Sequence, residues 1–175
     1  SDRDPDRLPE GVADAGRPRW QFNRRIIDAT AGLAAAYKPN MAFYETPAGL
    51  AALTETIGYA HAQGVPVILD AKRGDIGNTA RAYARLLDAA DAITVNPYMG
   101  TDSVAPFLNR TDKGVYVLCR TSNSGATDLQ DRLLADGQPV YAAVAALADG
   151  WATADNVGLV VGATAPAELE LVRET

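Results

Sequence analysis

Cysteine is all but missing from this chain. Cys119 stands alone among 175 residues, which rules out a disulfide framework and suits a reducing compartment such as the cytoplasm. No apolar run approaches the roughly 20 residues that a membrane-spanning helix needs, so no membrane partner is expected. The opening "SDRDPDRLPEG" is polar and proline-bearing and lacks the apolar centre of a secretory signal. Lysine is scarce too, occurring only at Lys38, Lys72 and Lys113. With 16 basic against 22 acidic residues the net charge is −6, which argues against a nucleic-acid backbone as partner.

What the chain does have is the material of a core. At 47% hydrophobic and 22% charged residues it suits one globular domain over 1–175. Short runs rich in Val and Ile recur: "AAYKPNMAF" around Lys38, "PVILD" at 66–70, "AITVN" at 92–96, "GVYVLC" at 114–119 and "VGLVV" at 157–161. They lack polar alternation, as strands covered on both faces do, and so predict a parallel sheet. Helical stretches lie between them. Leu50, Leu53 and Ile57 predict one buried stripe ending at Gly64, and Ile76, Ala80, Tyr83 and Leu87 predict another. "PVYAAVAALADG" and "APAELELVRE" each begin near a proline, as helices often do.

Such βα succession fits either a (β/α)8 barrel or a doubly wound open sheet. The polar residues favour the barrel. Lys38, Asp70 with Lys72, Asn96, and Arg120 to Ser122 all fall at or just past a strand's C-terminal end, and a barrel gathers its site from many such ends.

The densest of these is "LDAKRGDIGNTARAY", residues 69–83, an apolar strand that runs into Asp70, Lys72, Arg73 and Asp75. In extended backbone Asp70 and Lys72 share a face. Gly74 and Gly77 let the chain turn so that Asp75 follows. A lysine between two carboxylates keeps its proton, which makes it a poor Schiff-base nucleophile but a good fixed cation and proton donor. A bare D-x-K-x-x-D also fits a strand-end salt-bridge network, and that alternative stands on the charges alone.

The longer stretch "LDAKRGDIGNTA" resembles the signature of the orotidine 5′-phosphate decarboxylase family, in the subgroup whose motif reads D-x-K-R-G-D-I-G-N-T. The resemblance continues in order through "YKPNMAFYE", "AITVNPYMG", "VYVLCRTSN" and "VGLVVGATAP", from about Leu8 to the end. It implies a (β/α)8 TIM barrel of which this chain supplies strands two to six, the first, seventh and eighth being absent. It also implies decarboxylation of orotidine 5′-phosphate with neither metal nor organic cofactor. Lys72 would be the cation and proton donor at C6, Asp70 the carboxylate near the departing CO2, and Lys38 a bridge between Asp70 and the ribose. Asp75, Ile76 and Thr79 would reach the neighbouring subunit's site in a homodimer. Ser122 would meet the pyrimidine edge. Where the family usually has proline after the Asn of "RTSN", this chain has Ser124, so that source of loop rigidity is missing.

Other residues divide between function and structure. Asn96 is either a substrate-side amide or an Asx turn before Pro97. His61 belongs on a solvated helix face, and Cys119 reads as a small core residue. "VVGAT" offers backbone amides to a phosphate but reads more simply as packing. Two rival functions remain on the same scaffold. One is a Mg²⁺-dependent sugar-phosphate lyase or decarboxylase, against which "KRGDIGNT" and "RTSN" argue. The other is an inactive barrel core.

Overall fold

The computed structural model describes residues 16–152 and 154–173. The opening "SDRDPDRLPEG" and Leu8 lie outside the described residues. Ten main elements follow in order: α1 (Pro18–Thr30), α2 (Pro47–Ala62), β1 (Ile68–Arg73), α3 (Gly77–Ala84), β2 (Ala92–Val95), α4 (Thr101–Leu108), β3 (Gly114–Arg120), α5 (Val140–Trp151), β4 (Val157–Val161) and α6 (Pro166–Arg173). The strands run in the order β1-β2-β3-β4, and β3 pairs with β4 in parallel. The fold is α/β with a parallel sheet. By contacts the described residues form two compact units, one within residues 16–71 with 88–93 and the other within residues 72–87 with 94–173.

In the first unit α1 packs on α2. Thr46 caps α2 by accepting the Gly49 N–H at 3.0 Å, and Pro47 opens the helix. A Schellman motif closes it: Val65 N–H reaches the Ala60 carbonyl and Gly64 N–H the His61 carbonyl, with Gly64 at φ +74°. The buried stripe is Ala52, Leu53, Thr56, Ile57 and Ala60, and Leu50 lies 45% exposed. Leu53 and Ile57 are thus buried as expected, while Leu50 lies off the buried stripe. Asn23 is buried in α1 and donates to both the Tyr44 hydroxyl and Thr56 Oγ1 at 2.9 Å, which offsets the cost of its burial.

The strand expected around Lys38 is reduced to two parallel bridges, Tyr37 with Val67 and Asn40 with Asp70. Pro39 has no N–H to give the ladder, and Asn40 then caps a 3₁₀ turn over Met41–Phe43. The neighbouring backbone bonds survive: Ile68 N–H reaches the Tyr37 carbonyl and Asp70 N–H the Pro39 carbonyl.

In the second unit α3 packs on α4, and α5 packs on β3 and β4. Ala80, Ala84 and Leu87 are buried, whereas Ile76 is 52% exposed, so Ile76 is not part of the helix's core face as expected. Along β3 burial alternates, with Val115, Val117 and Cys119 inside. The sequence hid this alternation because Tyr116 and Leu118, on the other face, are themselves apolar. In β4 every residue is half-buried; only β2, buried throughout, fits a strand covered on both faces. Among the described residues no helix is long and apolar enough to cross a membrane.

Candidate active site

Asp70 lies in β1 with its side chain only 8% exposed. A buried carboxylate is tolerable only when paired, and Lys38 pairs it: Nζ sits 2.8 Å from Asp70 Oδ2. The bridge of Asn40 to Asp70 holds the Lys38 segment beside β1. Sequence reasoning placed these two residues together, and the structure brings them together.

Two positions further along β1, Lys72 has φ +48°. For a side-chain-bearing residue this left-handed conformation is uncommon and costs on the order of 1–3 kcal/mol. The expectation of a simple extended D-x-K therefore fails at Lys72, whose backbone departs from the pleat that would align it with Asp70. Its N–H is accepted by Thr94 Oγ1 at 2.9 Å. Thr94 is 3% exposed and is the lone hydroxyl in "AITVN". Sequence reasoning missed it, although a single polar residue inside a fully buried strand was the available signal.

Past β1 the chain turns sharply. An added Cβ on Gly74 would lie 3.1 Å from Asn96 Cβ and 3.2 Å from its carbonyl, so glycine permits the close approach, and Asn96 N–H reaches the Arg73 carbonyl. Asn96 Oδ1 accepts the Tyr98 N–H at 2.9 Å, which makes it the Asx turn considered from sequence. Asp75 Oδ1 accepts the Ile76 N–H at 2.8 Å ahead of α3. Ile76 and Thr79 are exposed there.

Ser122 is exposed on the loop after β3. Arg120 grips Asp131 through Nε and Nη2 at 2.8 and 3.0 Å and also donates to the Thr121 carbonyl. Gln130 Oε1 accepts the Thr121 N–H at 2.8 Å. Residues 121–131 thus form a loop pinned at its base, with a 3₁₀ turn over Ser124–Asp128. Neither Asp131 nor Gln130 was singled out in the sequence. Gly162 closes against this loop: an added Cβ would meet Ser122 Cβ at 2.8 Å and its backbone nitrogen at 2.9 Å.

Two residues set aside from sequence also have partners. His61 Nε2 lies 2.7 Å from Asp91 Oδ2, which also accepts the Val67 N–H. Cys119 is buried with its thiol directed at the Tyr141 carbonyl, and desolvation pushes its pKa from 9.0 up to about 11. A thiol so shifted is no nucleophile near neutral pH.

With an ion-paired carboxylate and a conformationally held lysine on one strand, the arrangement suits stabilisation of negative charge and delivery of a proton. Comparison with known proteins gives the family. The profile of the orotidine 5′-phosphate decarboxylase / HUMPS family matches residues 14–175, and the chain belongs to that family. It is 68% identical over 173 residues to the orotidine 5′-phosphate decarboxylase of Halorubrum lacusprofundi, covering 99% of this chain and 63% of that protein. To the one from Haloarcula marismortui it is 65% identical over 178 residues, covering 99% and 64%. Among solved structures, Leishmania donovani OMP decarboxylase superposes with a TM-score of 0.84 at 51% identity, over 89% of this chain and 64% of that one. The chain thus spans just under two thirds of the relatives it matches.

Proposed function

We propose that this chain carries the centre of an orotidine 5′-phosphate decarboxylase, converting orotidine 5′-phosphate to uridine 5′-phosphate in de novo pyrimidine biosynthesis, in the cytoplasm. The chain is read as strands two to six of a (β/α)8 barrel within one domain. The observation that carries the proposal is on β1: a buried Asp70 ion-paired to Lys38, then Lys72 held two residues on in left-handed backbone.

In the reaction the bond from C6 to the carboxylate breaks and CO2 leaves. The electron pair remains on C6, which delocalises it poorly. The Lys72 ammonium offsets the developing charge and then gives C6 its proton, recovering one from water afterwards. Asp70 lies near the departing carboxylate, and Lys38 holds the Asp70 side chain in place while reaching the ribose. Ser122 meets the pyrimidine edge from a loop whose base Arg120 and Asp131 fix, and Asn96 borders the substrate. Asp75, Ile76 and Thr79 serve the neighbouring subunit's site in a homodimer. No metal or organic cofactor takes part.

The rival is the Mg²⁺-dependent sugar-phosphate lyase or decarboxylase chemistry of the HUMPS side of the same family. The names of the relatives at 59–68% identity favour the decarboxylase. The deciding experiment uses the full-length protein, exhaustively treated with EDTA. CO2 release from orotidine 5′-phosphate should continue at the untreated rate. Loss of turnover that Mg²⁺ restores would move the protein to the lyase reading.

A further inference from the structure

We infer that Thr94 is a positioning residue for Lys72, an assignment that rests on the proposed role of Lys72 as proton donor. A lysine at φ +48° is held away from the region its side chain prefers, so some other interaction must compensate. Thr94 supplies one. Its Oγ1 accepts the Lys72 N–H at 2.9 Å from a site only 3% exposed, where screening by water is weak and an unmade hydrogen bond is costly. A β-branched side chain inside a fully buried strand has little χ1 freedom, so the acceptor is fixed before any ligand arrives. The hydrogen bond grips the main chain of Lys72 rather than its side chain. A valine of the same shape would pack equally well in β2 and leave the Lys72 N–H without this acceptor. The backbone could then relax toward an ordinary strand conformation and carry the ammonium off its target.

The test compares Thr94→Val, Thr94→Ser and Thr94→Cys with Lys72→Ala in the full-length protein. Misplacing a reacting group by about 1 Å costs on the order of 100-fold, so Thr94→Val should lower kcat about 10–100-fold with KM little changed. Thr94→Ser should recover most of kcat, and Thr94→Cys, a weak acceptor, should fall between them. The kcat order should follow acceptor strength whatever the order of Tm. In the Lys72→Ala background Thr94→Val should cost no further activity, because there is no ammonium left to misplace. A Thr94→Val protein with parental kcat, or a kcat order that merely tracks Tm, would overturn the inference. Should Thr94→Val fail to fold, the Ser and Cys variants make the same contrast. If Lys72→Ala itself stays within tenfold of the parent, the reading of the site has failed; if only Thr94→Val is silent, the positioning role alone has.

Discussion

Lys72 combines a charge with an unusual backbone angle, and substitutions separate the two. In the proposed role, Lys72→Ala removes a proton donor, worth roughly 10²–10⁴-fold, together with a preorganised cation worth about 10²–10³. Single-turnover rates on orotidine 5′-phosphate should fall on the order of 10⁴-fold or more, while KM changes less. Lys72→Arg should rescue little, since a guanidinium is a very weak acid with a different shape. Stability should move differently from activity. At φ +48° a Cβ costs roughly 1–2 kcal/mol that glycine does not incur, so Lys72→Gly should be inactive yet about 1 kcal/mol more stable than Lys72→Ala in urea unfolding. Equal stabilities would mean that the left-handed backbone is not strained.

Cys119 gives a residue-scale prediction of another kind. Burial raises its pKa from 9.0 to about 11, so the folded state holds the proton that the unfolded chain has begun to lose. The thiol's contribution is complete below about pH 9 and is lost as pH rises towards 11, at most about 2–3 kcal/mol. Tyr141 is raised in the same direction, first by desolvation and then by Glu168 and Asp131, and adds to the same alkaline decline. Unfolding free energy measured from pH 8 to 11 should therefore drop, and Cys119→Ala should flatten part of that drop. An unchanged pH slope in the variant would remove Cys119 as its cause.

The elements were legible from sequence to the extent that a single residue type decided them. Gly64 did end α2, and the Val- and Ile-rich runs did become β1 to β4. The Lys38 segment was over-read because its apolar content outweighed Pro39, whose missing N–H breaks the ladder. Facing was harder to read. Leu50 and Ile76 look like core by type, but which stripe of a helix is buried depends on the surface it meets. The charged motif was legible as a cluster, while the pairing of Asp70 with Lys38 came from the family resemblance. The left-handed turn at Lys72 was not, since no local signal marks φ on a lysine. Nor was the loop after β3, where Arg120 pairs with Asp131 and Gln130 accepts the Thr121 N–H across the loop. That loop carries its own prediction. Gly162→Ala would drive a Cβ to within 2.8 Å of Ser122 and displace it, so KM for the nucleotide should rise about tenfold with the Lys72 chemistry intact. A rise in KM absent from Gly162→Ala would place Ser122 away from the substrate.

At the scale of the whole molecule, the question is whether one chain suffices. Asp75 is half-buried ahead of α3, with Ile76 and Thr79 exposed on the following turn. Ile76 is 52% exposed, and on the loop after β2 Tyr98 and Met99 are 79% and 45% exposed, apolar surface of the kind a second copy could cover. If Asp75 acts in the partner's site, Lys72→Ala and Asp75→Ala homodimers should each be nearly inactive for different reasons. Mixed and allowed to exchange subunits, they would form heterodimers with one site lacking both groups and the other lacking neither. Random pairing makes half the dimers mixed, so activity should return to roughly a quarter of the parent. Lys113→Ala, altering a loop lysine beside Asp112, should behave as the parent in the same assay. A mixture that stays as inactive as its components would show each site to be built from a single chain, and Asp75 would then act beside Lys72 of its own subunit.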